Sequence, residues 1–111
     1  MGLTCRFIDI DCPEYGQPFH EDALKALESF RIDTVKVYGL DQYNRCLVEA
    51  FSGDLNIGEE LTRQGLAWTI SPKYRAQERE AQRTKRGLWK QKNPVPPWEY
   101  RKDHERVKRS L

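Results

Sequence analysis

The sequence predicts a single α+β domain that is mainly β with three helices. Three observations lead to this class: a β-rich run near the amino terminus, two β-rich runs joined by a short polar loop, and three stretches with helical periodicity. The chain has 111 residues, of which 38% are hydrophobic, 32% charged and 11% aromatic. This size suits one core, and the aromatic content is too high for a disordered chain.

The first predicted elements are a strand over residues 3–10 and a helix over residues 18–30. The strand should end by Cys12, because Pro13 cannot donate to a sheet ladder. The helix carries one apolar stripe, formed by Ala23, Ala26, Leu27 and Phe30.

Residues 34–40 and 46–51 predict an antiparallel hairpin. The connection 41–45 is short and polar, and its Asn44 tolerates the left-handed region of backbone conformation. A second helix follows at 57–64, where Asn56 and Glu59 have the spacing of a capping box. Residues 66–70 are apolar and predict an extended segment.

The third predicted helix begins at Ser71 or Pro72 and continues to about Arg86. One face of this helix is a docking stripe with seven-residue spacing, formed by Tyr74, Ala81 and Leu88. Another is a basic stripe, a candidate for binding substrate phosphates, formed by Arg75, Arg79 and Arg83. Nearby carboxylates could equally neutralise these arginines.

The carboxyl-terminal part predicts a tail that packs on the body. Residues 93–98 are proline-rich and should be extended, and Trp89 and Trp98 should anchor them. An alternative is that these tryptophans stack on bases. Residues 1–100 then form the domain, and residues 101–111 form a charged tail that is frayed or helical.

Charge is distributed unevenly along the chain. Residues 1–70 hold 6 Lys/Arg and 12 Asp/Glu, a net charge of −6, whereas residues 71–111 hold 13 Lys/Arg and 5 Asp/Glu, a net charge of +8. A cation site in the acidic part and an anion-binding surface in the basic part would suit phosphodiester chemistry. The alternative is a solvated basic tail.

The cysteines and the hydropathy exclude several other classes. Cys5, Cys12 and Cys46 have no paired C-x-x-C spacing, so we expect free thiols rather than disulfides or a zinc site. No apolar run reaches membrane-spanning length, and no signal peptide is visible. A cytoplasmic location is expected for the chain as written, and secretion if the true start lies upstream.

Asp11 and Glu14 are the first candidates for a functional site. Both lie where the first strand ends, and carboxylates held at a strand end can bind a hard cation or orient a water molecule. On these residues alone, a strand followed by an ordinary polar turn is the preferred interpretation.

Five segments in order resemble the staphylococcal nuclease (thermonuclease) family. Residues 6–14 resemble its R-x-x-x-x-D-x-P-E strand and turn, and residues 41–45 resemble its D-x-Y-G-R loop, with Asn44 in place of glycine. The other three segments are residues 65–68, 86–89 and 94–101.

The resemblance implies an oligonucleotide-binding fold, an antiparallel β-barrel with three helices, and calcium-dependent endonuclease activity on single-stranded DNA or RNA. It assigns calcium to Asp11 and the backbone carbonyl of Cys12, and the attacking water to Glu14. It assigns the phosphate to Arg6 and Arg45; the alternative for these two arginines is an ion pair with Asp11, Asp41 or Glu14. Tyr43 would lie beside the nucleotide.

The chain departs from the family at its amino terminus, where a strand pair carrying a second calcium carboxylate is missing. We expect an upstream start; the alternatives are that a partner or a second copy supplies the strands through the exposed sheet edge. If the lost ligand is not replaced, the chain is instead a catalytically weak or inactive binding module for nucleic acid or protein.

Two local features of the first strand require an explanation. Strand alternation places Asp9 and Asp11 on one face, so Asp9 is a further candidate metal ligand, although an ion pair with an arginine of the third helix is the preferred prediction. Arg6 and Asp11 are an odd number of residues apart, so a bend near Ile10 is needed for them to converge.

Overall fold

The computed structural model describes residues 4–110, with side chains described for residues 4–105. These residues form two small sheets and four α-helices, which confirms the α+β class. The strands are β1 (Cys5–Phe7), β2 (Ile10–Asp11), β3 (Thr34–Leu40), β4 (Cys46–Ser52), β5 (Leu55–Asn56) and β6 (Trp68–Thr69). The helices are α1 (His20–Ser29), α2 (Ile57–Arg63), α3 (Arg75–Arg83) and α4 (Pro97–Ser110), and two 3-10 turns lie at Pro72–Tyr74 and Gly87–Lys90.

The predicted hairpin is confirmed and forms the centre of the larger sheet. β3 and β4 pair antiparallel, and the loop between them turns at Asn44, whose φ of 60° is the left-handed conformation expected of asparagine. β1 lies on the other side of β4, with Cys5 opposite Cys46, and β5 pairs with the end of β4.

The observed sheet differs from the predicted antiparallel barrel in two respects. β1 runs parallel to β4, and within residues 4–110 no strand joins the outer edges of β1 and β3. The sheet is therefore open. Its few strands are not enough to close a barrel around a core. All residues of β3 are exposed, which agrees with its position as an outer strand.

The predicted first strand is broken into β1 and β2 by a bend at Ile8 and Asp9. Before the bend the chain pairs with β4; after it, β2 pairs antiparallel with β6 in the second sheet. The Ile8 amide still donates to the Val48 carbonyl at 3.0 Å, so the change of partner is abrupt. A bend near Ile10 was predicted, because without one Arg6 and Asp11 could not converge. The observed bend lies one to two residues before Ile10.

The core lies between the sheet, α1 and α2. Its buried members are Ile10, Ala23, Ala50, Ile57, Leu61, Leu66, Ala67 and Tyr74. The predicted stripe of α1 is confirmed, since Ala23 is buried and Ala26, Leu27 and Phe30 pack against the core. Ile57 and Leu61 of α2 have no solvent exposure, and each contributes about 1.5–3 kcal/mol through burial.

The ends of α2 and α3 follow local sequence rules. The Asn56 side chain accepts a hydrogen bond from the Glu59 amide at 3.1 Å, which caps α2, and Gly65 ends it with a φ of 75°. Helix α3 is shorter than predicted. It ends at Arg83 rather than near Arg86, because Lys85 adopts a left-handed φ of 53° that a helix cannot contain.

The segment predicted to be extended through Trp98 instead enters a fourth helix at Pro97. Proline suits the first turn of a helix because its missing N–H has no intrahelical partner. Trp89 and Trp98 both pack edge-to-face on Trp68, with ring centroids 4.7 and 5.7 Å away, so they anchor this part to the body as predicted. Helix α4 continues past residue 100, where the domain was predicted to end and the charged tail to begin. No helix in the described part of the chain is long and apolar enough to cross a membrane.

Candidate active site

The structure brings the predicted phosphate and metal residues together around one cavity. Its volume is about 940 Å³, and its walls come from β1, β2 and the following turn, the β3–β4 loop, and α4. The predicted site residues among those that line it are Arg6, Asp11, Cys12, Glu14, Tyr43 and Arg45. Predicted site residues from two separate segments, 6–14 and 43–45, therefore face one space.

The bend between β1 and β2 places Arg6 beside Asp11. The Arg6 Nη2 and Asp11 Oδ2 atoms are 3.7 Å apart, and the Asp11 side chain is 11% exposed. On a straight strand these side chains would point to opposite faces. The ion pair that was an alternative explanation for Arg6 is present in the free protein, and it also shows that a guanidinium and a carboxylate share the cavity.

The β3–β4 loop orients Arg45 through Asp41. Asp41 Oδ1 accepts hydrogen bonds from the Tyr43 and Arg45 amides at 2.8 and 2.9 Å, and Asp41 Oδ2 accepts from Arg45 Nε at 2.7 Å. Desolvation opposes ionisation of the Asp41 carboxyl, but these hydrogen bonds outweigh it and lower its pKa. The Tyr43 ring is 70% exposed, with the Arg45 guanidinium 5.3 Å from its centroid. This aromatic face is available for contact with a base.

The turn that carries Glu14 is held by Gln17, a buried polar residue. Gln17 Oε1 accepts from the Glu14 amide at 2.8 Å, and Gln17 Nε2 donates to the Val95 carbonyl at 2.9 Å. The turn is thereby joined to the segment that precedes α4. These two hydrogen bonds fix the geometry of the buried amide, because losing either would leave a buried polar atom without a partner.

Arg101 of α4 binds both carboxylates of the predicted site. It donates from Nη2 to Asp11 Oδ2 and from Nη1 to Glu14 Oε1, each at 2.9 Å. The hydrogen bond to Asp11, followed by that to Glu14, raises the pKa of Arg101 against the opposing effect of burial. Asp11, Glu14 and Arg101 therefore form a charged cluster on the cavity wall.

Cys12 lies between the two carboxylates in sequence. Burial, with smaller contributions from the negative charges of Asp11 and Glu14, raises the pKa of its thiol to about 12. The thiol is therefore neutral at ordinary pH and is not a nucleophile. Cys5, Cys12 and Cys46 are all free, as predicted.

Asp9 does not line the cavity. It accepts a hydrogen bond from Ser71 Oγ at 2.8 Å and lies 4.0 Å from the Lys73 ammonium. The expectation that Asp9 and Asp11 share one face is wrong, because the bend at Ile8 and Asp9 interrupts the alternation. The predicted arginine partner is also wrong, since the pairing cation is a lysine that precedes α3.

The basic stripe of α3 is exposed but lies apart from the cavity. Arg75, Arg79 and Arg83 are all exposed, and none of them is among the lining residues. Arg83 forms an ion pair with Glu80 at 2.6 Å, so a neighbouring carboxylate compensates for at least one charge of this stripe.

Sequence reasoning missed Gln17 and Arg101, and it named Asp41 only as a possible ion-pair partner of the arginines. Both charged residues lie in segments that resemble the family: Asp41 is the first residue of the loop that resembles D-x-Y-G-R, and Arg101 is the last residue of the segment 94–101. The useful signal for Arg101 was electrostatic: two carboxylates close together need a cation, and Arg6 alone leaves Glu14 without one. Gln17 carried no sequence signal.

The donor set near Asp11 is small for a calcium site. Among the described residues no group of three or more His, Cys, Asp or Glu side chains is arranged to hold a metal ion. Asp11 and Glu14 nevertheless lie close enough to contact one guanidinium, each through a different nitrogen. Carboxylate oxygens are the hard donors that calcium takes, but these two side chains alone do not complete its coordination, which needs about six to eight oxygens.

Comparison with known proteins agrees with this geometry. Residues 4–91 match the family described as staphylococcal nuclease homologue. The chain is 33% identical over 106 residues to a protein named probable staphylococcal-like nuclease from Oryza sativa subsp. japonica, and 36% identical over 107 residues to a staphylococcal-like nuclease from Arabidopsis thaliana. Each alignment covers 88% of this chain, but only 29% and 33% of those relatives.

A bacterial relative is more similar in length. An uncharacterized endonuclease from Escherichia coli O157:H7 is 33% identical over 109 residues, which are 90% of this chain and 71% of that protein. The matched residues 4–91 contain β1, β2 and the β3–β4 loop, the segments that carry Arg6, Asp11, Glu14 and Arg45. The chain belongs to the family of staphylococcal nuclease homologues.

Proposed function

We propose that the chain is an endonuclease that hydrolyses phosphodiester bonds in single-stranded DNA or RNA with calcium as its cofactor. The observation that carries the proposal is the convergence of Arg6, Asp11, Glu14, Tyr43 and Arg45 on one cavity from segments far apart in sequence. The names of the relatives, which include nucleases and endonucleases, support the same reaction class. In this proposal the sheet is part of an oligonucleotide-binding fold.

Asp11 and the backbone carbonyl of Cys12 are the residues that would hold calcium. Asp11 is only 11% exposed and provides hard oxygen ligands at the cavity wall. A bound calcium ion would supply positive charge to the phosphate and lower the pKa of a nearby water molecule. Because the described residues offer few carboxylates, affinity should be modest, and substrate oxygens should contribute to it.

In this proposal two arginines bind the phosphate. Arg6 lies on β1 and Arg45 lies at the end of the β3–β4 loop, and both present guanidinium groups to the same cavity. A guanidinium pairs with two phosphate oxygens at once, and its charge stabilises the phosphorane-like transition state more strongly than the ground state. Asp41 keeps the Arg45 side chain in place while the loop presents it.

Glu14 acts on the water molecule. Its side chain is 36% exposed at the cavity, so it can reach both solvent and a bound phosphate. As the water oxygen bonds to phosphorus, Glu14 takes the proton, and the bond from phosphorus to the leaving oxygen breaks. Tyr43 would stack on the adjacent base through its exposed ring.

The experiment compares the purified protein with Glu14→Gln on single-stranded DNA, with calcium or with a chelator. We expect the variant to lose about 100-fold or more in rate while it retains substrate binding measured by fluorescence anisotropy. Glu28→Gln is the matched control, because Glu28 is exposed on α1 and does not line the cavity. Cleavage without calcium, or equal rates for Glu14→Gln and wild type, would contradict the assignment.

The second candidate is a nucleic-acid-binding module without catalysis. The small donor set around Asp11 favours it, since calcium affinity depends on the number of carboxylates. In the same experiment, binding without any cleavage by the wild-type chain would support the module over the enzyme.

A further inference from the structure

Arg101 connects α4 to both acidic residues of the proposed site. One terminal nitrogen contacts Asp11 at 2.9 Å, and the other contacts Glu14 at 2.9 Å and also lies 3.5 Å from the second oxygen of Asp11. The two ends of one guanidinium thus hold two carboxylates. Such a fork is geometrically more specific than a contact with a single point charge.

The backbone around this cluster is packed so that the contact is built into the fold. Gln17 joins the Glu14 turn to Val95, just before α4 begins. A Cβ atom placed on Gly16 would lie 2.8 Å from the Tyr100 hydroxyl, so the turn and the first turn of α4 are in close contact. The close packing between the Glu14 turn and the start of α4 therefore positions Arg101 beside the carboxylates.

The charges of this cluster are already balanced without a metal ion. Asp11 contacts Arg6 and Arg101, and Glu14 contacts Arg101. A calcium ion that binds Asp11 would meet the Arg101 guanidinium on the same oxygen, Oδ2, and like charges at that distance repel strongly. The Arg101 side chain is 41% exposed, so it has room to leave that oxygen.

We propose that Arg101 is a positioning residue that holds Asp11 and Glu14 in the cation-free protein and is displaced from Asp11 when calcium binds. The inference rests on the proposed calcium site. Before calcium binds, the Arg101 guanidinium takes the place of the cation and keeps the Glu14 side chain directed into the cavity. It also makes calcium binding weaker than the two carboxylates alone would allow.

A purely structural ion pair predicts the opposite effect of mutation. If Arg101 only oriented Asp11 for the metal, its removal would disorder the ligand and weaken calcium binding. If it competes with the metal, its removal leaves two like-charged carboxylates without their cation and tightens calcium binding. The direction of the change in dissociation constant therefore separates the two roles.

The test measures calcium dissociation constants by isothermal titration calorimetry at low ionic strength. We expect Arg101→Gln to bind calcium about tenfold more tightly than wild type, and Arg101→Lys, which keeps the charge without the fork, to lie between them. Lys102→Gln is the matched control: it removes one positive charge from the same wall, where Lys102 pairs with Glu99 at 3.7 Å, and should change affinity less than twofold.

Asp11→Asn separates the inference from the proposed function. If Asp11→Asn abolishes calcium binding and Arg101→Gln leaves affinity unchanged or weaker, the calcium site stands and the role of Arg101 is overturned. If wild type does not bind calcium, or Asp11→Asn binds it as wild type does, the calcium site and the role of Arg101 are both wrong.

A second measurement covers the case in which Arg101→Gln fails to fold. In the wild-type protein, the Arg101 side-chain N–H resonance should shift during calcium titration and lose its protection from solvent exchange. A resonance that stays unchanged at calcium saturation would overturn the displacement.

Discussion

The Lys73 ammonium donates a hydrogen bond to the carboxylate of Glu49, whose side chain is only 6% exposed. The same carboxylate accepts hydrogen bonds from the hydroxyls of Tyr38 and Tyr74 and from the Asn56 amide. These partners lie on β3, in the 3-10 turn before α3 and at the start of α2. One buried charge therefore joins the sheet to two helices behind it.

The first prediction concerns the pH dependence of stability. Burial opposes the Glu49 charge, but the hydrogen bonds from Lys73 and Tyr38 lower the pKa of Glu49 from 4.5 to about 2. Because the folded pKa lies below the unfolded value, Glu49 stabilises the fold above about pH 4.5, and this contribution is lost as the pH falls towards 2. Urea unfolding at several pH values should show the loss.

Glu49→Gln provides the comparison for this pH effect. We expect the variant to be about 2 kcal/mol less stable at pH 7, because Lys73 loses its charged partner and the buried amide fits the site poorly. Its stability should also vary less than that of wild type between pH 4.5 and 2. Glu28→Gln, which is exposed on α1, should retain the wild-type profile. Equal slopes for wild type and Glu49→Gln would contradict the assignment of this pH dependence to Glu49.

The second prediction concerns the close approach of Gly65 and Gly87. The Leu88 amide donates to the Gly65 carbonyl at 2.8 Å, and a Cβ atom on Gly65 would lie 2.2 Å from the Arg86 carbonyl oxygen. Gly65 also has a φ of 75°, which strains any L residue. Gly65→Ala should therefore cost about 3 kcal/mol or more of unfolding free energy, since backbone must move to admit the methyl group.

Gly53→Ala is the control for the backbone strain alone. Gly53 has a φ of 59°, but a Cβ atom there would meet no atom within 4 Å. Its substitution should cost about 1 kcal/mol, the strain of the left-handed conformation. Chemical denaturation of both variants measures the difference. If Gly65→Ala is no more destabilising than Gly53→Ala, the contact with the segment at Arg86 is not tight in solution.

Local elements were predictable because their causes lie within a few residues. The stripe of α1, the hairpin with Asn44 at its turn, and the cap of α2 by Asn56 all follow from side-chain spacing and backbone preference. The bend before Ile10 was predictable for a different reason: Arg6 and Asp11 can meet only if the strand is interrupted.

Long-range partners were not predictable from spacing. Glu49 lies on a strand of ordinary alternation, and its cation is on a turn 24 residues later in the sequence. The parallel pairing of β1 with β4 places Cys5 opposite Cys46, far along the chain, and the contact of Arg101 with Asp11 spans 90 residues. A helix was one of the two expectations for residues 101–111, but the start of α4 at Pro97 was missed, because a proline-rich segment favours extended backbone until the first helical position, where Pro97 fits well.

The third prediction separates the orientation of Arg45 from the folding of its loop. In Asp41→Asn, the amide oxygen can still accept from the Tyr43 and Arg45 backbone amides, but the NH2 group cannot accept the 2.7 Å hydrogen bond from Arg45 Nε. The loop should keep its conformation while the guanidinium loses its anchor. We expect kcat/KM on single-stranded DNA to fall about tenfold, because a misplaced guanidinium stabilises the phosphate less well.

Asp54→Asn, in an exposed turn outside the cavity, should behave as wild type in the same assay. A wild-type rate for Asp41→Asn would mean that Arg45 is held by the cavity or the substrate and not by Asp41.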